Sequence, residues 1–260
     1  MFGKLLKYEF KSIGKWYFAL NAGVIALAAI LSFTIKISAA STFSGDNIFT
    51  KIIPFTLILT FGALIAGSLL ATLLIIINRF NKNLFGREGY LTMTLPVSEH
   101  QLILSKFITS FVCSLFNSIV LCLAIFILII PQVSWSSFLK QFNQLMSQVA
   151  SHYDVVLGLL LYSLIASIYA ILLIYLAISI GQLFANHRGL KGIIAYAAIS
   201  IVTSALLSYL NTNVFHFNGH EVDYFFESNF YWITIIEQVI LIGIVYFSTH
   251  FILKNKLNLQ

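Results

Sequence analysis

Long apolar runs separated by shorter polar segments dominate the chain. Six of these runs are long enough to cross a lipid bilayer, which takes about 20 residues at the helical rise. The six predicted spans are Trp16–Ile37, Ile52–Ile77, Phe107–Ile130, Val155–Ile180, Ile193–Leu210 and Tyr231–Leu253. Because the runs are continuous and do not alternate apolar with polar residues, they predict helices and not strands. We therefore expect an all-α, polytopic membrane protein with six transmembrane helices.

A helical pattern also precedes the first span. Its apolar positions are Phe2, Leu5, Leu6, Phe10, Ile13 and Tyr17, and its basic positions are Lys4, Lys7, Lys11 and Lys15. The two sets fall on opposite faces, which predicts an interfacial helix over residues 1–15 with its lysines among lipid headgroups. The alternative is a basic leader without defined shape. The first apolar run is nearer 20 residues than the 7–15 of a signal core, so we expect a retained span.

Two spans carry patterns that are typical of helix packing in lipid. In the second span, small residues are spaced four apart, at Gly62, Ala63, Ala66, Gly67 and Ala71. Such pairs let two helix backbones approach closely. In the fifth span, polar residues recur every four positions, at Tyr196, Ser200, Ser204 and Ser208. This stripe predicts a hydrogen-bonded contact with a neighbouring helix or, alternatively, one wall of a substrate path.

The composition supports a lipid environment. The 260 residues are 59% hydrophobic and 9% charged, with a mean hydropathy of +0.93, whereas a soluble domain carries about 25% charged residues. Cys113 and Cys122 lie within one apolar run, and we interpret them as small hydrophobic residues and not as a disulfide. No stretch has the composition of a separate soluble domain, so residues 1–260 predict a single transmembrane domain.

The distribution of Lys and Arg predicts that both termini are cytoplasmic. In that orientation 12 basic residues lie inside and three lie outside, in agreement with the positive-inside rule. The inside set is Lys4, Lys7, Lys11, Lys15, Arg79, Lys82, Arg87, Lys106, Arg188, Lys191, Lys254 and Lys256. The outside set is Lys36, Lys51 and Lys140.

Sequence motifs for catalysis or nucleotide binding are absent. The chain has no G-x-x-x-x-G-K-[ST] phosphate loop, no H-E-x-x-H and no G-x-S-x-G. His216, His220, Glu221 and Asp223 have a spacing that a metal ion could use, but they lie in an exposed loop without cysteine partners. We therefore predict that this chain is not an enzyme, holds no cofactor or metal, and binds no nucleic acid.

Glu237 is the one clear acidic residue inside a predicted span. A carboxyl group at membrane depth costs several kcal/mol unless it is neutral, partnered or facing water. Thr234 and Gln238 lie close to it on the helix surface, so this face is predicted to point into the bundle. Two interpretations stay open. Glu237 and Thr234, with Ser200 and Ser204, form a substrate path or gate, or Glu237 is a hydrogen-bonded packing residue.

The longest predicted cytoplasmic segment comprises residues 78–106, and it is several times longer than a turn between two helices requires. Aromatic and aliphatic residues alternate with charges at Arg79, Phe80, Leu84, Phe85, Arg87, Glu88 and Tyr90. This pattern favours a short helix docked on a protein surface over a solvated loop that anchors to headgroups. Ser98, with Gln101 three residues later, is a capping box that opens the third span.

The stretch "FGREGYLTMTLPVSEHQLILSK", placed after a basic helix and two spans, resembles the permease subunits of ABC-2-type ATP-binding-cassette transporters. The resemblance is to the small six-span bacterial permeases. It covers the whole chain in layout, and its specific part is Gly86–Lys106. It implies that Arg79–Tyr90 is a cytoplasmic coupling helix fitted into a cleft of a separate ATPase subunit. The ATPase-docking residues would be Arg79, Phe80, Leu84, Phe85, Arg87, Glu88 and Tyr90.

The resemblance also implies a function and a set of partners. The chain would be a permease domain in a bacterial cell membrane, paired with a second permease copy or paralogue and with two ATPase subunits that bind ATP and Mg²⁺. Similar small permeases export amphipathic or antimicrobial peptides. The competing classes are a secondary transporter or channel acting alone, and a membrane sensor or immunity scaffold without transport.

Overall fold

A computed structural model describes residues 2–40, 48–85, 98–184, 186–217 and 228–255. Within these residues the chain is helical and contains no strand. The α-helices are α1 (Phe2–Lys11), α2 (Lys15–Ala40), α3 (Ile48–Phe85), α4 (Glu99–Ile129), α5 (Trp135–Ser151), α6 (Tyr153–Gln182), α7 (Arg188–Tyr209) and α8 (Ser228–Asn255). A 3₁₀ turn, Ile130–Gln132, follows α4, and a π-helical turn, Leu210–Val214, follows α7.

Six helices in the described part of the chain, α2, α3, α4, α6, α7 and α8, are long and apolar enough to cross a membrane. This confirms the all-α, six-span prediction, and the chain is a multi-pass membrane protein. At most 33% of the residues in the apolar stretch of each helix are buried, so most side chains face outward as lipid contact requires. The orientation of the termini stays a prediction.

Two helices are longer than the predicted spans because they include polar residues beyond the apolar runs. α3 continues past Ile77 to Phe85, and α4 begins at Glu99, two turns before the predicted third span. The Ser98 hydroxyl accepts a hydrogen bond from the Gln101 main-chain N–H at 3.4 Å, which confirms the predicted N-cap.

α1 confirms the predicted N-terminal amphipathic helix. It spans Phe2–Lys11, its lysines are exposed, and Phe10 is half-buried. Glu9 departs from the two-faced pattern because it is buried. The position of α1 at a membrane surface stays a prediction.

The chain divides into two compact units. Unit 1 comprises Met1–Leu5, Ile76–Phe111 and Val149–Gln260, and unit 2 comprises Leu6–Ile75 and Val112–Gln148. The boundaries fall inside α1, α3, α4 and α5, so these helices contribute to both units. The prediction that residues 1–260 form one permease domain stays a prediction.

The core of unit 1 is built on α6, which packs against α7 and α8. Its completely buried members include Phe80, Ile103 and Tyr175. The Phe80 and Tyr175 rings stack at 4.0 Å with an interplanar angle of 9°. A stack of two buried aromatic rings adds to the free energy of burial through its quadrupole geometry. The end of α3 is therefore held by α6.

Two clusters form the core of unit 2. One surrounds Tyr17 and Cys113, and the other contains Val24, Ala28 and Ala124. Cys122 is exposed on the same helix as Cys113. Nine helical residues separate the two cysteines by about 13 Å, well beyond disulfide reach. Both cysteines therefore act as small apolar residues, as predicted.

Close backbone approach occurs at glycines other than those predicted. Gly62 and Gly67 have no atom within 4 Å of where a Cβ would stand, so the close contact expected there is not formed within the described residues. A Cβ on Gly181 would lie 2.6 Å from the Arg188 carbonyl oxygen and 2.8 Å from the Gly192 nitrogen. The α6–α7 turn of unit 1 therefore requires glycine at position 181.

Candidate functional site

Glu237 of α8 is hydrogen-bonded to Asn211 in the π-helical turn of unit 1. The Asn211 Nδ2 donates to Glu237 Oε2 at 3.3 Å. The other carboxyl oxygen, Glu237 Oε1, and the amide oxygen, Asn211 Oδ1, are buried without a hydrogen-bond partner among the described residues. A carboxyl group and an amide thus present two acceptor oxygens in a membrane-length helix pair, and we call this pair the Glu237 site.

The π-helical turn places Asn211 at this site. Its wider winding is recorded by the Phe215 N–H, which donates to the Leu210 carbonyl at 3.0 Å. His216 then adopts the left-handed region with φ of 58°, and the Phe217 N–H donates to the Asn211 carbonyl at 2.8 Å. The chain folds back so that the Phe217 ring meets the Phe230 ring edge-on at 5.3 Å. The aromatic pair closes over the end of the π-helical turn.

Thr234 and Gln238 lie on the inward side of α8, as the sequence pattern indicated. Both are 8% exposed. The Thr234 hydroxyl lies within hydrogen-bonding distance of the Phe230 and Tyr231 carbonyls, at 2.9 and 3.0 Å, so it serves its own helix. Gln238 Oε1 is buried without a hydrogen-bond partner among the described residues. The polar pair of the site is therefore Glu237 with Asn211.

Ser200 and Ser204 are not brought to the Glu237 site. They precede Asn211 by eleven and seven residues, about 16 and 10 Å along α7. Ser204, Ser208 and Tyr196 are exposed, and Ser200 is half-buried. The contact of α7 with α6 is instead made by Thr203, whose hydroxyl accepts from Tyr169 Oη at 3.2 Å. The predicted stripe is therefore not the face that packs within unit 1.

The first residues of the predicted docking segment belong to the last turns of α3. Phe80 is completely buried on Tyr175, and Arg79 is only 8% exposed. This corrects the expectation that Phe80 offers its ring to a partner, because the ring is completely buried in the core of unit 1. Phe85 is half-buried and touches the Phe80 ring edge-on at 5.9 Å. Arg87, Glu88 and Tyr90, and the Leu84 side chain, lie outside the described residues.

Two further polar features near the predicted cytoplasmic ends escaped the sequence reasoning. Gln182 Nε2 donates to Asn81 Oδ1 at 2.9 Å and ties the end of α6 to the end of α3. His100 Nδ1 is hydrogen-bonded to Tyr246 Oη at 2.8 Å, and its ring stacks on that of His250 at 3.9 Å. The spacing of residues along the sequence does not predict either contact, because each joins residues that are far apart in the chain.

Lys106 of α4, which the charge pattern predicts as a cytoplasmic residue, has a completely buried side chain. Among the described residues, including His216, no group of three or more His, Cys, Asp or Glu side chains could hold a metal ion. His220, Glu221 and Asp223 lie outside the described residues.

A scan against protein-family models found no match, and neither the curated proteins nor the solved structures that were searched contain a match to this chain.

Proposed function

We propose that the chain is the transmembrane permease subunit of an ATP-binding-cassette exporter. It moves an amphipathic or antimicrobial-type peptide out of a bacterial cell, and a separate ATPase subunit supplies the energy. A second permease copy or paralogue completes the path. The observation that carries the proposal is the end of α3. This helix leaves its apolar run, continues to Phe85, and leads directly into the segment that resembles the family.

The end of α3 has the rigidity that a coupling element needs. The Phe80–Tyr175 stack and the Asn81–Gln182 hydrogen bond fix it to α6 at two consecutive residues. A force that reaches Phe85 would therefore be passed from the end of α3 to α6. The docking set that we propose is therefore Phe85 with Arg87, Glu88 and Tyr90 of the following segment, while Phe80 anchors the end of α3 inside unit 1.

The first experiment tests docking with the separate ATPase subunit that we propose as the partner. Phe85→Ala and Tyr90→Ala are expected to lose at least tenfold in co-purified ATPase, since truncating a central interface aromatic commonly costs about 2 kcal/mol or more. Lys82→Ala is the matched control, because Lys82 is exposed on α3 and a rim charge contributes little. All variants are compared at equal membrane expression.

Docking through the aromatic residues is disproved if Phe85→Ala and Tyr90→Ala retain the ATPase while Lys82→Ala loses it. Hydrolysis of ATP by the isolated chain would remove the whole proposal. It has no phosphate loop, so we expect activity only after the ATPase subunit is added.

The Glu237 site favours a second candidate, a secondary transporter that acts alone. Irregular helices with an intramembrane acid are typical of such proteins, and Glu237 with Asn211 on a π-helical turn has both features. Proteoliposomes containing only this chain decide between the two. Substrate movement driven by an ion gradient without ATP supports the second candidate. Movement that requires the ATPase and ATP supports the first.

A further inference from the structure

In unit 2, α2 and α4 run side by side in one fixed register. Tyr17 Oη donates to the Cys113 carbonyl at 2.9 Å, and Ser32 Oγ donates to the Leu128 carbonyl at 3.5 Å. The residue numbers of both pairs differ by 96. Two helices of equal rise that share one offset at both ends keep it between those ends. The buried residues Ala28 and Ala124, which share a core cluster, follow the same offset.

The same offset places Asn21 opposite Asn117. Asn21 is 1% exposed and Asn117 is 3% exposed, so both amides are enclosed by protein. Asn21 Nδ2 donates to the Tyr17 carbonyl at 2.9 Å. The oxygens, Asn21 Oδ1 and Asn117 Oδ1, have no hydrogen-bond partner in the part of the chain that the structure describes. An unsatisfied buried acceptor costs about 1–3 kcal/mol, so two facing acceptors call for a shared donor.

The third helix of this layer does not supply that donor. α3 runs antiparallel to α2, and Tyr17 Oη is hydrogen-bonded to Thr72 Oγ1 at 3.2 Å. One turn along both helices, Ser68 therefore lies level with Asn21, and it is completely buried. Its hydroxyl donates to the Ile65 carbonyl at 2.9 Å, and the Thr72 hydroxyl donates to the Ser68 carbonyl at 2.8 Å. The hydroxyl protons of α3 are thus engaged by their own helix.

We propose that Asn21 and Asn117 form a binding site for one water molecule in unit 2. The water donates one hydrogen bond to each amide oxygen and bridges the first and third spans. The ligand is a neutral donor and not a metal cation, for two reasons. Among the described residues, α2 and α3 contain no Asp or Glu, and α4 contains only Glu99, at its first residue and far from Asn117. The three helices are also unbroken here, so their carbonyls are not released to coordinate an ion.

The bridge has a consequence for the movement of the spans. Sliding α2 by one residue along α4 would turn Asn21 away from Asn117 and towards apolar neighbours, where an amide is costly. The apolar pairs on either side, such as Ala28 with Ala124, tolerate such a slip better because they have no direction-dependent bond. The bound water therefore opposes sliding of α2 along α4 and helps to keep the register of these two helices in unit 2.

A double-mutant cycle tests the facing pair. Asn21→Leu and Asn117→Leu are each expected to lower the unfolding temperature by several degrees, since each leaves one amide without the bridge. The double variant removes both acceptors with similar volume, so its loss should be clearly smaller than the sum of the single losses. Asn143 is exposed on α5, and the control pair Asn21→Leu with Asn143→Leu should be additive.

Each outcome of the cycle is informative. Additive losses for Asn21 and Asn117 overturn the proposal. If the single variants are too unstable to purify, a folded double variant supports it and an unfolded one overturns it. The occupant is tested by exchanging sodium or potassium for choline in the parent protein. A rise in unfolding temperature with either metal ion that disappears in Asn117→Leu would replace the water with a cation. A density map that joins the amides directly would also exclude the water.

Discussion

Unit 1 and unit 2 bury polar side chains among apolar helices in different ways. In unit 1, cross-helix hydrogen bonds join side chain to side chain, as in Ser110 with Tyr175 at 2.8 Å. In unit 2, Tyr17 and Ser32 donate to main-chain carbonyls of α4, and a side chain–side chain bond across helices also joins Tyr17 to Thr72. A helical carbonyl still has its intrahelical donor when such a side chain is removed, whereas a side-chain partner loses one of its own bonds. Unit 1 is therefore expected to tolerate polar substitutions less well.

The helices of unit 1 also pack more closely at their glycines than the helices of unit 2 do. Unit 1 contains backbone contacts that leave no room for a Cβ, at Gly181 against Gly192. In unit 2 the described glycines of α3, Gly62 and Gly67, face open space, and the contact layers use alanine and valine. Close contacts raise the cost of any added or removed atom because packed interiors relax only in part. We expect substitutions in unit 1 to have the larger effects.

The largest effect is expected from Phe80→Ala. Removing a completely buried aromatic ring typically costs about 3–5 kcal/mol of unfolding free energy, and here it also leaves Tyr175 without its stacked neighbour. Phe55→Ala on the same helix is the control, because Phe55 is 61% exposed and should cost little. Denaturant unfolding in detergent measures both. Equal losses for the two variants would refute the internal role of Phe80.

Gly181→Ala is expected to have the next largest effect. The new methyl group would meet main-chain atoms that cannot swing away, and overpacking of this kind costs about 1–3 kcal/mol. Gly67→Ala is the matched change in unit 2. With open space around it, alanine should stabilise the helix by about 0.5–1 kcal/mol. The comparison of the units fails if both variants change the unfolding midpoint in the same direction.

The smallest expected effect is the difference in unfolding free energy lost when Tyr175 or Tyr17 is replaced by phenylalanine. Tyr175→Phe removes the hydroxyl bonded to Ser110 in unit 1, and Tyr17→Phe removes the hydroxyl bonded to Cys113 and Thr72 in unit 2. We expect about 1–2 kcal/mol for the first and about 0.5–1 kcal/mol for the second, because the Cys113 carbonyl lies inside a helix and the Thr72 hydroxyl still donates to the Ser68 carbonyl. Tyr209→Phe, at an exposed residue, should be neutral. A larger loss for Tyr17→Phe would reverse the proposed difference.

Hydropathy by itself determined the fold class and the number of spans. Each apolar run is long, and burying such a helix in lipid depends on the sum of its side chains and little on their order. Local chemistry was equally readable. The Ser98 cap acts within one turn, and the amphipathic pattern of residues 2–11 needs no distant partner.

The tertiary structure alone decided which polar residues meet. Asn211 meets Glu237 from a π-helical turn that no sequence pattern predicted, and Phe80 is buried because Tyr175 lies against it. The facing of Asn21 and Asn117 depends on the register of two helices that are far apart in the chain. Such choices follow from crossing geometry and close packing between helices. A one-dimensional pattern assigns a residue to a face, but it does not say which helix covers that face.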